Sequence, residues 1–130
     1  MPALFTMRKI LPFVSLLSAL GLSQSVFAMP KGFKMVTFAK PPQITYPTGV
    51  AVSGNGEVYV SVDLNSSLDQ KANRGKIVKC VDTDGDGVAD KFTDYVPDID
   101  SPRSSCFVGD TLYVVNPPFL SAFSDRDNDG

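Results

Sequence analysis

The 130-residue chain contains no histidine. That absence removes an imidazole base, an imidazole metal ligand and a Cys-x-x-Cys-His haem attachment from the chemistry these residues can do alone. Cysteine is scarce, with Cys80 and Cys106 the only two, at a spacing that matches no metal or haem motif. No helical period follows residue 28. No apolar run reaches the roughly 20 residues that cross a bilayer, since Ile10 to Leu22 spans only 13. No basic patch interleaved with aromatics occurs, so nucleic acid is not an expected partner.

What is present begins with an export signature. Arg8-Lys9 precedes the apolar run, and Val26-Phe27-Ala28 supplies a cleavage pattern with a small residue last. Residues 1–28 therefore read as a signal peptide cleaved after Ala28, which places the mature chain in the periplasm or outside the cell. Their removal takes away two cations and leaves 10 basic against 14 acidic residues, net −4. In an oxidising compartment a Cys80–Cys106 disulfide is permitted. Each cysteine also sits in a strand-like apolar run, where a lone thiol serves as a small core hydrophobe.

Much of the negative charge is concentrated in a recurring motif. Asp82-Thr83-Asp84-Gly85-Asp86-Gly87-Val88-Ala89-Asp90 has its first six positions echoed 43 residues later by Asp125-Arg126-Asp127-Asn128-Asp129-Gly130. Carboxylates at alternate positions closed by Gly are the spacing that wraps a hard cation in oxygen ligands. Asp82, Asp84 and Asp86 take loop positions 1, 3 and 5, and Gly87 takes the sharp turn at position 6. Val88 would offer its carbonyl, and Asp90 would serve at position 9, directly or through water. Position 12 is Thr93 rather than a bidentate Glu, which predicts a weak calcium site with Kd on the order of 10⁻⁴–10⁻³ M. The second set is Asp125, Asp127 and Asp129. The competing reading of either stretch is a solvated turn, because Asp and Gly are ordinary turn residues.

Strand signals surround both loops. Residues 29–43 read as a lead segment. Strands are then expected at 50–52, 57–62, 76–81 and 91–96, with Val58, Val60 and Val62 on one face after an Asn-Gly turn. The pattern restarts at 104–108, 111–115 and 119–123, offset by 54 to 55 residues in the first two strands and 43 at the loops. The fold class is all-β: about two four-stranded antiparallel blades of a β-propeller, residues 44–98 and a truncated 99–130. Because the second motif breaks off at Gly130, the chain reads as the front part of a longer protein. Two blades cannot close a ring, so the remaining blades are its expected partner.

Three segments carry a resemblance to a known family: Pro-Thr-Gly-Val-Ala-Val at 47–52, the stretch from Gly75 to Asp90, and Val-Asn-Pro-Pro-Phe-Leu at 115–120. Together they resemble the glucose/sorbosone dehydrogenase-like propellers, in particular the exported membrane-bound dehydrogenase branch. The resemblance implies an exported propeller of about six blades, and a quinone-dependent sugar oxidation using pyrroloquinoline quinone with calcium. In longer members it also implies an appended cytochrome domain carrying haem c. The His base of that chemistry has no counterpart in this sequence. The alternative is a non-catalytic propeller that binds carbohydrate or protein at the cell surface. In propellers the connections at 63–74 and 98–103 open on the ligand face, which makes Asp63, Asn65 and Arg103 candidates for ligand contact. The aspartate loops fall on the opposite face, where a cation would be structural.

Overall fold

The computed structural model describes residues 29–65 and 71–127. Residues 1–28, where a signal peptide is expected, Ser66 to Gln70 of the long connection, and Asp129 of the second motif lie outside these. Contacts divide the chain after Phe33, and the fold below is that of the part starting at Lys34. Seven strands and no helix make up the described residues. The first sheet contains β1 (Pro47–Val52), β2 (Val58–Asp63), β3 (Gly75–Val81) and β4 (Lys91–Ile99). The second contains β5 (Ser104–Val108), β6 (Thr111–Asn116) and β7 (Phe119–Phe123). Each sheet is an antiparallel meander in chain order, and neither closes.

The expected all-β, antiparallel architecture is therefore observed, with two boundaries moved by three residues and others by one. β1 starts at Pro47, and β4 runs to Ile99 rather than stopping at 96. The extension of β4 follows from Gly75, which pairs with Ile99 across a register shift and leaves room for the strand to continue. Pro117-Pro118 forms the two-residue turn between β6 and β7.

Period-two patterning gives the first sheet two apolar faces, and each is used. One face presents Ala51, Tyr59, Ile77, Val96 and Ile99 to the second sheet, which replies with Leu112, Val114, Phe107 and Phe123. Tyr59 is the hub. Its ring meets Tyr95 at 5.0 Å and Phe107 at 4.9 Å, both edge-on, a geometry the aromatic quadrupole favours. The Ser61 and Ser105 hydroxyls meet at 3.2 Å across the same interface. The opposite face presents Val60, Val62, Val78 and Cys80, covered by Phe38 and Ala39 of the lead segment and by Ile44 just after it.

This arrangement settles the cysteines as free thiols, against the disulfide considered from sequence. Cys80 is buried beneath the lead segment. Cys106, on β5 and next to the inward-facing Phe107, is exposed on the outer face of the second sheet. The two therefore project from opposite sides of the pair of sheets. Burial also pushes the Cys80 thiol up to about 11, which keeps it inert as a nucleophile.

Candidate metal centre

The β3–β4 connection holds the first aspartate loop. A single register of hydrogen bonds folds it. Asp82 accepts the Gly85 N–H on Oδ1 at 2.7 Å and the Gly87 N–H on Oδ2 at 2.8 Å. Asp84 accepts the Asp86 N–H at 3.2 Å, and Asp86 accepts the Val88 N–H at 2.8 Å. Each carboxylate thus bends the chain toward the next, the local habit that makes Asp a turn residue. Gly87 sits at φ 90°, a left-handed conformation that a side chain would strain. The product is a convergence: one oxygen from each of Asp82, Asp84 and Asp86 lies within 4.8 Å of the others. Three acceptor-only groups at that spacing can hold a metal ion, and their oxygen chemistry suits a hard one.

Donated N–H bonds, that of Gly87 above all, hold the Asp82 carboxyl below its ordinary value. A depressed folded pKa means the stabilisation from these bonds is complete above the unfolded value, about 3.9, and is lost as pH falls through the folded one. A carboxylate NMR titration of Asp82 should give a midpoint below about 3.9. A midpoint at or above it would show that the loop is not held in this way.

The remaining expected ligands are placed differently. Asp90 stands outside the three-acid group. It accepts the Thr83 N–H at 3.1 Å and the Thr83 hydroxyl at 2.7 Å, so it ties the ends of the loop together. Val88 contributes its N–H to Asp86 within the loop. Asp125 and Asp127 follow β7 and form no such group with other described residues. Asp125 instead lines a cleft of about 440 Å³ with Glu57, Tyr59, Lys79, Tyr95 and Asp110, at the same end of the sheets as the first loop. There Lys79 pairs with Glu57 at 3.0 Å, and Glu57 accepts the Tyr59 hydroxyl at 3.2 Å. Burial first, and the Glu57 charge second, push the Tyr59 phenol far up. Sequence reasoning did not single out this cluster. Its signal was the cross-strand pair Tyr59 and Lys79, legible only once the register is known.

At the opposite end of the first sheet the structure brings Asp63, Asn65 and Arg103 together, though not as open ligand contacts. Asp63 is 1% exposed, and its Oδ2 lies 3.2 Å from the Arg103 guanidinium. That contact is a charge pairing without hydrogen-bond geometry. Asp63 Oδ1 accepts the Asn65 N–H at 3.0 Å. The buried Asn65 amide clasps the Lys71 backbone, donating to its carbonyl at 2.9 Å and accepting its N–H at 3.3 Å. Asp63 and Asn65 are thus committed to shaping the chain. Arg103, partly exposed, reaches a cleft of about 350 Å³ lined also by Asn65, Lys71, Asp100, Ser101 and Pro117. All four non-glycine residues with positive φ among those described, Tyr46, Asn73, Asp98 and Ser101, lie at this end.

No curated protein and no solved structure matches the chain. A family model described as a domain of unknown function, DUF7133, matches residues 21–130. That span takes in both sheets and the aspartate loop, and the chain belongs to the DUF7133 family.

Proposed function

We propose that these residues form a structural section of an exported β-propeller in which the loop Asp82–Asp86 holds calcium. The role is scaffolding. The redox chemistry implied by the resemblance to sugar dehydrogenases needs a base, and this sequence has no histidine to supply one.

The observation that carries the reading is that the two sheets are repeat-equivalent face by face. Ala51, Tyr59, Ser61 and Ile77 all lie beneath the second sheet, between 0% and 7% exposed. Matched through the strand registers, their counterparts are Cys106, Tyr113, Val115 and Leu120. Those occupy the outer face of the second sheet, with Tyr113 37%, Val115 43% and Leu120 68% exposed. An apolar face that repeats a buried one is the pattern expected where a further sheet stacks in the same manner. Radial stacking of such sheets is the propeller.

Support for calcium comes from the carboxylate convergence and from its position, which joins β3 to β4 at the end remote from Asp63. A cation there would fasten the outer hairpin rather than act on a substrate. Removing millimolar calcium with a chelator should lower the melting temperature by roughly 2–11 °C, from ligand linkage at the expected Kd and a domain of about this size. An unchanged melting temperature would remove calcium from the account.

A further inference from the structure

Five asparagines occur in the sequence, and the residue after each decides what its carboxamide can undergo. The backbone nitrogen that follows an asparagine is close enough to attack the side-chain Cγ and close a five-membered imide, an intramolecular reaction favoured by proximity. Asn116 precedes Pro117, which has no N–H to lose. Asn65 is buried, and both ends of its carboxamide are committed to the Lys71 backbone. Asn73 and Asn128 precede Arg74 and Asp129, whose side chains crowd the approach. Asn55 alone precedes a glycine, the residue that lets a backbone nitrogen be approached closely. It is exposed in the β1–β2 turn, and nothing lies within 4 Å of where a Cβ on Gly56 would stand.

In the folded turn both reacting groups are held. The Gly56 N–H donates to the Ser53 carbonyl at 3.0 Å. The Asn55 carboxamide is tethered through Oδ1, which accepts the Ser53 hydroxyl at 2.7 Å. Ser53 is fixed in turn by Glu57: its N–H donates to the Glu57 carbonyl at 3.0 Å, and its Oγ accepts the Glu57 N–H at 3.1 Å. We propose that Asn55 is a site of spontaneous deamidation, and that Ser53 gates it by holding nucleophile and electrophile apart in the turn. When the turn frays, the deprotonated Gly56 nitrogen attacks Asn55 Cγ. The new C–N bond displaces the carboxamide nitrogen, which takes up a proton and leaves as ammonia. Water then opens the imide at one carbonyl or the other, giving aspartate or isoaspartate. Either product matters where it falls. A carboxylate at position 55 joins Glu57, Asp110 and Asp125 around one cleft. Isoaspartate lengthens the backbone of the turn that sets Val52 opposite Val58, and turn length fixes hairpin register. The chemistry needs neither the metal nor a further sheet.

The test is peptide mapping by mass spectrometry after incubation at mildly alkaline pH, with the chain folded and in urea. In urea Asn55 should convert faster than Asn73, and roughly tenfold or more faster than in the folded chain, where two hydrogen bonds hold it. Folded Ser53→Ala should convert Asn55 roughly two- to tenfold faster than the parent, the change that losing one net hydrogen bond permits. Val114→Ala, which opens a void between the sheets and leaves the turn intact, should convert Asn55 at the parent's rate. Equal rates at Asn55 folded and in urea would overturn the proposal, as would a Ser53→Ala rate at or below the parent's. An equal rise in Ser53→Ala and Val114→Ala would route the reaction through global unfolding, and Ser53 would not be the gate. Conversion in urea no faster at Asn55 than at Asn73 would remove the site itself. Amide exchange at Gly56 in the unmodified chain needs no variant to fold: protection is the expected result, and an unprotected Gly56 N–H would overturn the gate.

Discussion

Tyr59→Ala should lower the free energy of unfolding by about 3–5 kcal/mol, the range for removing a large buried aromatic. Tyr59 is 5% exposed and stands between Tyr95 of its own sheet and Phe107 of the next. Its removal opens a void at the one place where both sheets and the Glu57–Lys79 pair converge. Tyr59→Phe keeps the ring and loses only the hydroxyl bond to Glu57, so its cost should be about 1 kcal/mol. The informative comparison is with the repeat counterpart. Tyr113 has the same register position in its sheet but is 37% exposed, so Tyr113→Ala should cost under about 1 kcal/mol. Urea unfolding of the three variants reads the differences directly. Equal losses at Tyr59 and Tyr113 would mean that the outer face of the second sheet is already covered.

Gly75→Ala should also be damaging, by a different route. Gly75 is buried where β3 begins, and pairs with Asp63 on one side and Ile99 on the other. A methyl group there would lie 2.5 Å from the Ile99 carbonyl oxygen and against the Pro102 ring. Neither is the free end of a flexible side chain, so the backbone must move. Overpacking of this kind costs about 1–3 kcal/mol and sometimes more. The shift would fall on the β3–β4 pairing and on Thr48, whose hydroxyl donates to the Pro102 carbonyl at 2.5 Å. The same measurement applies, with amide exchange showing whether the loss starts at this end. A variant as stable as the parent would mean that β3 and Pro102 are farther apart than described.

The elements that sequence revealed are those governed by local chemistry. Alternating Val58, Val60 and Val62 after an Asn-Gly turn predict a strand, and β2 is where that pattern stands, buried on both faces. The Asp and Gly positions of the first loop likewise dictate its shape. Asp84 and Asp86 each fold back onto an N–H two residues on, and Gly87 takes the positive φ. What local chemistry could not give is the identity of partners. Asp90 fits a ligand position by count, yet the nearer Thr83 offers it two donors and takes both its oxygens. Asp63 and Arg103 are 40 residues apart and meet only because β1 lies against β5. Cys80 and Cys106 both alternate correctly for a core, and which face each one takes depends on register alone. β4 has weak alternation, so its length followed from its partner β3 rather than from its own residues.

The aspartate loop joins these levels. Its sequence sets the turn, the turn converges three carboxylates, and the convergence lies at the point that joins β3 to β4. The central claim is that this point is filled by calcium. Titration calorimetry of the chain with calcium tests it most directly, alongside Asp84→Asn. One saturable site with Kd on the order of 10⁻⁴–10⁻³ M, weakened at least tenfold in Asp84→Asn, is the predicted result. No heat of binding in the unmodified chain, or binding that Asp84→Asn leaves unchanged, would contradict it.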